Sequence, residues 1–425
     1  MADMRRKSIY GDHMNVTIHQ GITGGTVCPP PSKSHTHRAI LMSALAEGTS
    51  TLINPLRSDD TKRTFSAIQA LGADISGNTI TGNTLTGPRE IIDCGGSGTT
   101  LRLLTGVTSL LDGLTIFTGN QSLHQRPMEP LITALSSLGA HIFSNHGFLP
   151  IMTRGGLTGG TITVDCEKSS QFLSSLLISL PLTRNDSIIT VEHLRSRPYV
   201  DVTMEMLTDF GIRIEEEQNT YYIHGNQAYR PQTYHITGDF SSAAYFMTTG
   251  AITGAPVRID NIDMNSAQGD KYIVEILREM GADVTLSHHA LTVSGGELRG
   301  ISIDCSGIPD LFPILCIMGM YAEGKTTLHN APHLHYKESD RISNMASELK
   351  TLGIRTEILD DGLIIHGGAP RMNVTVHSHH DHRICMALSI AALASGPLTI
   401  TDVECVSESY PAFFDDIKSI GGHIQ

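Results

Sequence analysis

The chain has 425 residues, 40% hydrophobic and 17% charged, and a formal net charge of −13. Enough apolar residues are present for a large core, which excludes a disordered chain. The acidic balance, the lack of Trp and an aromatic content of 5% argue against a general nucleic-acid binder, while a local cluster of positive charge can still attract an anionic small molecule.

Residues 1–13 read as a polar extension with no apolar signal-peptide core, and Met1 and Met14 are both candidate starts. MNVTIHQ, from Met14, reads as the first strand. Helical stretches then follow in pairs along the chain. HRAILMSALAEG precedes TFSAIQAL, TTLRLLTGVTSL precedes LITALSSL, and SQFLSSLLISL precedes VTMEMLTDF. SAAYFMTTGAI precedes IVEILREM, LFPILCIMGMYAEG precedes ISNMASELKTL, and RICMALSIAALASG precedes FFDDIKSI. The first member of each pair is apolar nearly all round and is predicted to lie in the interior. The second is amphipathic and runs into a glycine followed by a β-former: Gly72, Gly139, Gly211, Gly281, Gly353 and Gly421, spaced by about 67 to 72 residues. That recurrence predicts six copies of one unit, each with a helix closed by a left-handed glycine and then a strand. ITVDC, IITVEHL, VRIDNI, ISIDC and LTITDV read as further strands. The fold class is therefore α/β. No uncharged apolar run reaches the length of a membrane span. Seven cysteines without a CxxC pair predict reduced thiols and a cytoplasmic protein, not a disulfide framework or a zinc ribbon.

Polar residues gather before the helices. The interior helices follow PPSKSHTHR, CGGSGTT, EKSSQ, GDFSS, SGIPD and HHDHR; amphipathic ones follow HQRPM, SRPY, GDKY and KESDR. Ser and Asp there have an ordinary explanation, capping of unpaired backbone N–H groups. Lys and Arg do not, because they oppose the positive end of the helix dipole. Lys33, Arg38, Arg102, Arg126, Arg197, Lys337, Arg341 and Arg383 all stand near a predicted helix start. If these ends converge, they build a cleft for a substrate carrying several phosphate or carboxylate groups; the plain alternative is solvated surface charge. There is no GxxxxGK[ST], and the four histidines of VHSHHDHR read as a loop running into a helix, so neither a P-loop nor a metal site is expected. Cys94, Cys166 and Cys305 lie near helix starts, but no fixed base accompanies them.

PPSKSHTHRA, GSGTTLR, QRPMEPL, KSSQFLSSLL, SRPYVDVT, GDFSSAAYF, KESDRI and DHRICMAL occur in the order found in the 5-enolpyruvylshikimate-3-phosphate synthases of the enolpyruvyl transferase family. The chain resembles that family from about residue 14 to 425. The resemblance implies two similar globular domains, each of three βαβαββ-type units in an inside-out α/β barrel. One would comprise residues 14–28 plus 240–425 and the other residues 29–239. It also implies a transferase of the shikimate pathway to chorismate and aromatic amino acids. The carboxyvinyl group of phosphoenolpyruvate would pass to the 5-hydroxyl of shikimate 3-phosphate with release of phosphate, through a tetrahedral intermediate, with no metal or cofactor, in a cytoplasmic monomer.

Carried onto this chain, the resemblance places Lys33, Ser34, Arg38, Ser169, Ser170, Gln171, Ser196, Asp310 and Lys337 around shikimate 3-phosphate. Lys33, Gly98, Arg126, Gln171, Arg341, His382 and Arg383 fall around phosphoenolpyruvate. Arg38 would reach the shikimate carboxylate. Asp310, Glu338 and Lys33 would be catalytic, with Asp310 the base for the 5-hydroxyl and Glu338 a proton shuttle that requires a raised pKa. An ion pair with Arg341 is the plain alternative for Glu338. Three positions depart from the family pattern. Gly96 replaces a usual Asn, Glu408 replaces a usual Lys before the aromatic–Pro pair, and His333 stands where some members have Asn. The first two bear on phosphoenolpyruvate binding and leave open a non-catalytic binder of shikimate phosphate. A UDP-aminosugar enolpyruvyl transferase and a synthase with a changed acceptor are the other open readings. Glyphosate, which occupies the phosphoenolpyruvate place in the family, tests the same pocket.

Overall fold

The six recurrent glycines all adopt the left-handed backbone their positions require, with φ from 77° at Gly353 to 108° at Gly72. The structure is a computed structural model describing residues 14–82 and 85–425; the predicted extension over 1–13 lies outside the described residues. Twelve α-helices occur among those residues: α1 (Lys33–Leu45), α2 (Asp59–Ala70), α3 (Gly98–Thr108), α4 (Glu129–Ser137), α5 (Gln171–Ser179), α6 (Arg197–Asp209), α7 (Phe240–Thr253), α8 (Ile273–Met280), α9 (Phe312–Tyr321), α10 (Arg341–Thr351), α11 (His382–Ser395) and α12 (Phe413–Ser419). The even-numbered helices are the amphipathic ones that run into the glycines. The odd-numbered helices are the apolar ones, and they lie inside. α11, for example, is buried continuously from His382 to Leu393, and it packs on α7 and α9, as α3 packs on α5.

Six four-stranded sheets cover the helices. Each joins one parallel pair to two antiparallel strands. Ile92–Asp93 runs parallel to Thr115–Thr118, which pairs antiparallel with Phe148–Thr153, and Ile142–Asn145 closes the edge. Strands such as Ser187–Glu192 alternate buried and exposed residues, so one face meets the helices and the other meets solvent. This is the predicted inside-out arrangement. The sheets stay separate, and no closed barrel forms among the described residues.

Three sheets use strands that follow one another in the chain, and three borrow a strand from far away. Thr233–His235 pairs parallel with the strand Gly48–Ile53. Gly25–Val27 pairs parallel with Val257–Asp260. Val16–His19 lies antiparallel between Leu398–Thr401 and His423–Ile424. Two apolar cores result. One contains Ile18, Val27 and residues drawn from 240–420; the other draws on 39–236. In the first, Tyr245, Phe246, Tyr410 and Phe413 form edge-on and tilted ring pairs with centroids 5.5–6.0 Å apart. Truncating buried Phe413 to Ala would cost about 3–5 kcal/mol.

Candidate active site

Capping accounts for only some of the polar residues at the helix starts. The side chains of Ser32, Ser97, Asp239 and Asp381 each accept a backbone N–H at the start of α1, α3, α7 and α11. Ser170 and Ser196 precede α5 and α6 without making such a bond. Leu311 caps α9 with no side-chain oxygen, so Asp310 just before it is not used for capping either. These uncapped starts come together with the cationic ones in one cleft at the junction of the two cores.

The cleft is lined by Lys33, Ser34, Gly98, Arg126, Ser169, Ser170, Gln171, Ser196, Asp310, Lys337, Glu338, Arg341, His382 and Arg383. Every predicted site residue is there except Arg38. Arg38 is buried one turn behind Ser34, where its guanidinium donates to Thr203 Oγ1, the Tyr199 carbonyl and the Ser34 carbonyl at 2.8, 3.1 and 3.0 Å. Its donors are consumed in holding α1 against α6. Arg197, also singled out by its place, faces solvent and pairs with Asp201 and Glu216; for that residue, surface charge is the correct reading.

The cations are held by carboxylates, and one of these pairs, Arg126 with Glu338, crosses between the cores. Asp310 accepts from Arg341 Nη1 at 2.9 Å, Arg383 Nη2 at 2.8 Å and Tyr199 OH at 2.9 Å. Glu338 lies 2.8 Å from Arg341 Nη2 and 3.4 Å from Arg126 Nη1. Asp381 takes Arg341 Nε at 2.9 Å, and Asp60 takes Lys33 Nζ at 3.2 Å. A Cβ at Gly98 would stand 2.9 Å from Arg126 Nη1 and 3.1 Å from Arg102 Nη1, so a side chain there would push the guanidinium groups away. Paired side chains occupy most of the cleft, which measures about 70 Å³ and adjoins a cavity of about 690 Å³ that shares Asp60, Arg126 and Glu338 with it.

Several buried nitrogens remain without a partner. The Nε atoms of Arg102, Arg126 and Arg383, Nη1 of Arg383 and Nε2 of His382 are buried with no hydrogen-bond partner. Buried N–H groups normally find acceptors, so a set of orphans lining one cleft marks a place for an anion.

The protonation states follow from this crowding. Burial would raise the carboxyl of Asp310, but Arg383, Arg341 and Lys337 outweigh it and hold the group far below the usual carboxylate range. Burial would likewise raise Glu338, but Arg126 and Arg341 keep it well below its ordinary value. The raised value expected for a shuttle is therefore not found at Glu338 in this arrangement, because both guanidinium groups sit on the carboxylate. Burial, and after it Arg341, brings Lys337 down to about 8 against the pull of Asp310. Burial and Asp310 push Asp270 up to about 8, and Tyr199 OH lies 3.3 Å from it.

Asp60, Thr99, Tyr199 and Tyr336 also line the cleft and were not among the predicted site residues; Arg102, noted only as a cation near a helix start, joins them. The sequence signal for Tyr199 was its place in SRPY, three residues after Ser196. Asp60 gave none, since an acid in the first turn of α2 is what the helix dipole favours.

The three departures can now be placed. Glu408 Oε2 lies 3.1 Å from His382 Nδ1. A Cβ at Gly96 would come within 3.0 Å of Asn120 Nδ2 and 3.3 Å of Glu408 Oε1, so the space of a side chain at 96 is filled by these two groups. His333 is buried with Nε2 3.3 Å from Ser196 Oγ; burial, Lys337 and Arg195 lower it to about 3, which keeps the ring neutral. Cys94, Cys166 and Cys305 are buried and their thiols are pushed up, Cys166 to about 12, so they are not poised as nucleophiles.

A family model described as EPSP synthase (3-phosphoshikimate 1-carboxyvinyltransferase) matches residues 19–417. The 3-phosphoshikimate 1-carboxyvinyltransferase of Methanocella arvoryzae is 45% identical over 424 residues, covering 97% of this chain and 100% of that one. Its counterpart in Methanococcus vannielii is 42% identical, covering 94% and 97%. Among solved structures, EPSP synthase from Acinetobacter baumannii superposes with a TM-score of 0.82 at 32% identity, covering 97% of this chain and 99% of that one. The enolpyruvyl transferase NikO from Streptomyces tendae gives 0.80 at 21% identity with coverage of 97% and 98%, a likeness of fold alone.

Proposed function

Since the chain belongs to the EPSP synthase family, we propose that the cleft between its two cores is the place where its reaction occurs. The chain is a transferase that moves the carboxyvinyl group of phosphoenolpyruvate to the 5-hydroxyl of shikimate 3-phosphate, releasing phosphate. The observation that supports the location is the set of buried, unpartnered guanidinium N–H groups from both cores, with the imidazole Nε2 of His382 beside them. Two anionic substrates have to be brought together there against their mutual repulsion, which makes charge neutralisation and positioning the main tasks.

Ser169, Ser170, Gln171, Ser196 and Lys337, with Lys33 and Ser34, form the shikimate 3-phosphate side in this reading. Lys33, Gly98, Arg126, Gln171, Arg341, His382 and Arg383 form the phosphoenolpyruvate side. Asp310 lies between Arg341 and Arg383, and it takes the 5-hydroxyl proton as the oxygen attacks C2 of the enol. Its strongly acidic setting makes it a weak base until its arginines turn to substrate anions; each such turn raises its proton affinity. Glu338 delivers a proton to C3 and later removes one as the C–O bond to phosphate breaks. It, too, is released for this role when Arg126 and Arg341 engage phosphoenolpyruvate. Arg38 holds α1 and Ser34 in place.

The two-core division supports a discontinuous domain of residues 14–28 plus 240–425 and a second of 29–239. Unpaired cysteines support a reducing cytoplasm; no described helix is long and apolar enough to cross a membrane. The test is phosphate release from phosphoenolpyruvate with and without shikimate 3-phosphate, in the native chain and in Arg126→Ala and Ser170→Ala. Release that needs both substrates, with phosphoenolpyruvate KM raised in the first variant and shikimate 3-phosphate KM in the second, is expected. Unchanged KM values in both would remove the site from this cleft.

A further inference from the structure

Glu408 replaces a positive charge by a carboxyl group on the side of the cleft where a phosphate must be met, yet its neighbour shows what it does there. Its Oε2 lies 3.1 Å from Nδ1 of His382, a cleft-lining residue that is 1% exposed and whose other ring nitrogen, Nε2, is buried without a partner. The carboxyl therefore controls the far side of the ring. When Glu408 is a bare carboxylate, it takes the Nδ1 hydrogen, and Nε2 turns a lone pair toward the cleft while the pair carries one negative charge. One further proton, whether it rests on the carboxyl or on the ring, makes the pair neutral and puts an N–H at Nε2. A phosphate is repelled in the first state and hydrogen-bonded in the second.

We propose that Glu408 is a positioning residue acting through His382, and that the pair forms a proton-linked contact which accepts the phosphate of phosphoenolpyruvate only in its protonated state. This rests on the assignment of the His382 side of the cleft to phosphoenolpyruvate. The groups facing the pair favour a carboxyl that keeps its proton. Burial, and after it Asp60 of α2 and Glu338, raise Glu408, against Lys33 of α1 and Arg126. Cys405 lies a turn earlier with a thiol pushed up by its contact with Cys385. The ring faces Lys33, Arg383 and Arg341, which oppose a charge on it, and Glu338, which favours one. The proton is thus taken from solvent and is shared within the pair.

The test is the pH dependence of KM for each substrate in the native chain and in Glu408→Gln. A glutamine has no carboxyl proton to lose and carries no charge, so the pair does not become negative as pH rises. In the native chain, KM for phosphoenolpyruvate is expected to rise about tenfold per pH unit once the pair loses its proton. In the glutamine variant that rise disappears, so the variant binds phosphoenolpyruvate more tightly than the native chain at the alkaline end, while KM for shikimate 3-phosphate stays with the native value. Parallel phosphoenolpyruvate profiles in the two proteins would overturn the pair. A measurement on the native chain alone gives a second decision: ¹⁵N resonances of His382 should switch from an Nε2–H ring to a bare Nε2 with rising pH, and inorganic phosphate should move that switch upward. A single unchanging tautomer would overturn the proposal. An Arg126→Ala chain with native phosphoenolpyruvate KM would overturn the site assignment beneath it.

Discussion

Replacing Asp310 by Asn separates holding a site together from doing chemistry in it. The carboxylate pairs with Arg341 at 2.9 Å and Arg383 at 2.8 Å. Each pair is worth about 4 kcal/mol of Coulomb attraction at an effective dielectric of about 20, or roughly 8 kcal/mol for two. Several kcal/mol of that offsets the cost of taking the carboxylate out of water. Arg341 keeps Glu338 and Asp381 when Asp310 is neutralised, whereas Asp310 is the only carboxylate in ion-pair range of Arg383 among the described residues. The loss should therefore be the price of one buried, unpaired guanidinium, about 3–5 kcal/mol in urea unfolding at pH 7. Single-turnover phosphate release should fall by about 10²–10⁴ if Asp310 is the base. The sign of the pH dependence is fixed by the depressed carboxyl. Its contribution is fully present above the unfolded value of about 3.9 and fades as pH falls below it, so the stability gap between the two proteins should narrow in acid. A variant that loses stability but releases phosphate within tenfold of the native rate would show that Asp310 only holds the arginines. An unchanged unfolding midpoint would refute the energetic argument.

Other outcomes follow from the same geometry. Lys337, lowered to about 8, should lose its charge above that pH, so calorimetric affinity for shikimate 3-phosphate should weaken there in the native chain but not in Lys337→Arg, whose guanidinium stays charged. Asp270, raised to about 8, gives stability that is complete below about pH 3.9 and lost as pH rises through 8; Asp270→Asn should flatten that decline in urea midpoints measured from pH 4 to 9. Ser170→Ala should cost about ten- to a hundredfold in shikimate 3-phosphate affinity with little change in melting, because Ser170 makes no capping bond. Ser97→Ala should show a loss of about 0.5–2 kcal/mol in stability, because Ser97 does cap α3.

The elements that were legible in the sequence are those whose cause is local. A helix that must stop needs a left-handed residue, and glycine supplies it at Gly72, Gly139, Gly211, Gly281, Gly353 and Gly421. Borrowed strands carry no such mark. Thr233–His235 is a three-residue strand whose partner begins at Gly48, and no pattern within TYH says so. In the site, misplaced positive charge at helix starts was the useful signal for Lys33, Arg126, Lys337, Arg341 and Arg383. The same signal fails at Arg197, where Asp201 one turn on and Glu216 across the surface satisfy the charge. It reaches only halfway at Arg38, whose donors are taken by its own half of the molecule. The protonation state of Glu338 is invisible in one dimension, since Arg126 comes from the other core.

The strand Val16–His19 finally has a meaning for how the molecule is made. Its hydroxyl contact between Thr17 and Thr399, at 2.9 Å, spans 382 residues of sequence. During translation, the stretch that supplies the second core, 39–236, emerges as a contiguous block and can fold while the ribosome is still at work. The core containing Ile18 and Val27 cannot, because Val16–His19 must wait unpaired until the segment around residues 398–424 has been made. For most of synthesis, the two early strands have none of their final partners, and an unpaired strand edge is a template for pairing with another chain. The cleft, which draws on both cores, is therefore the last part of the protein to exist.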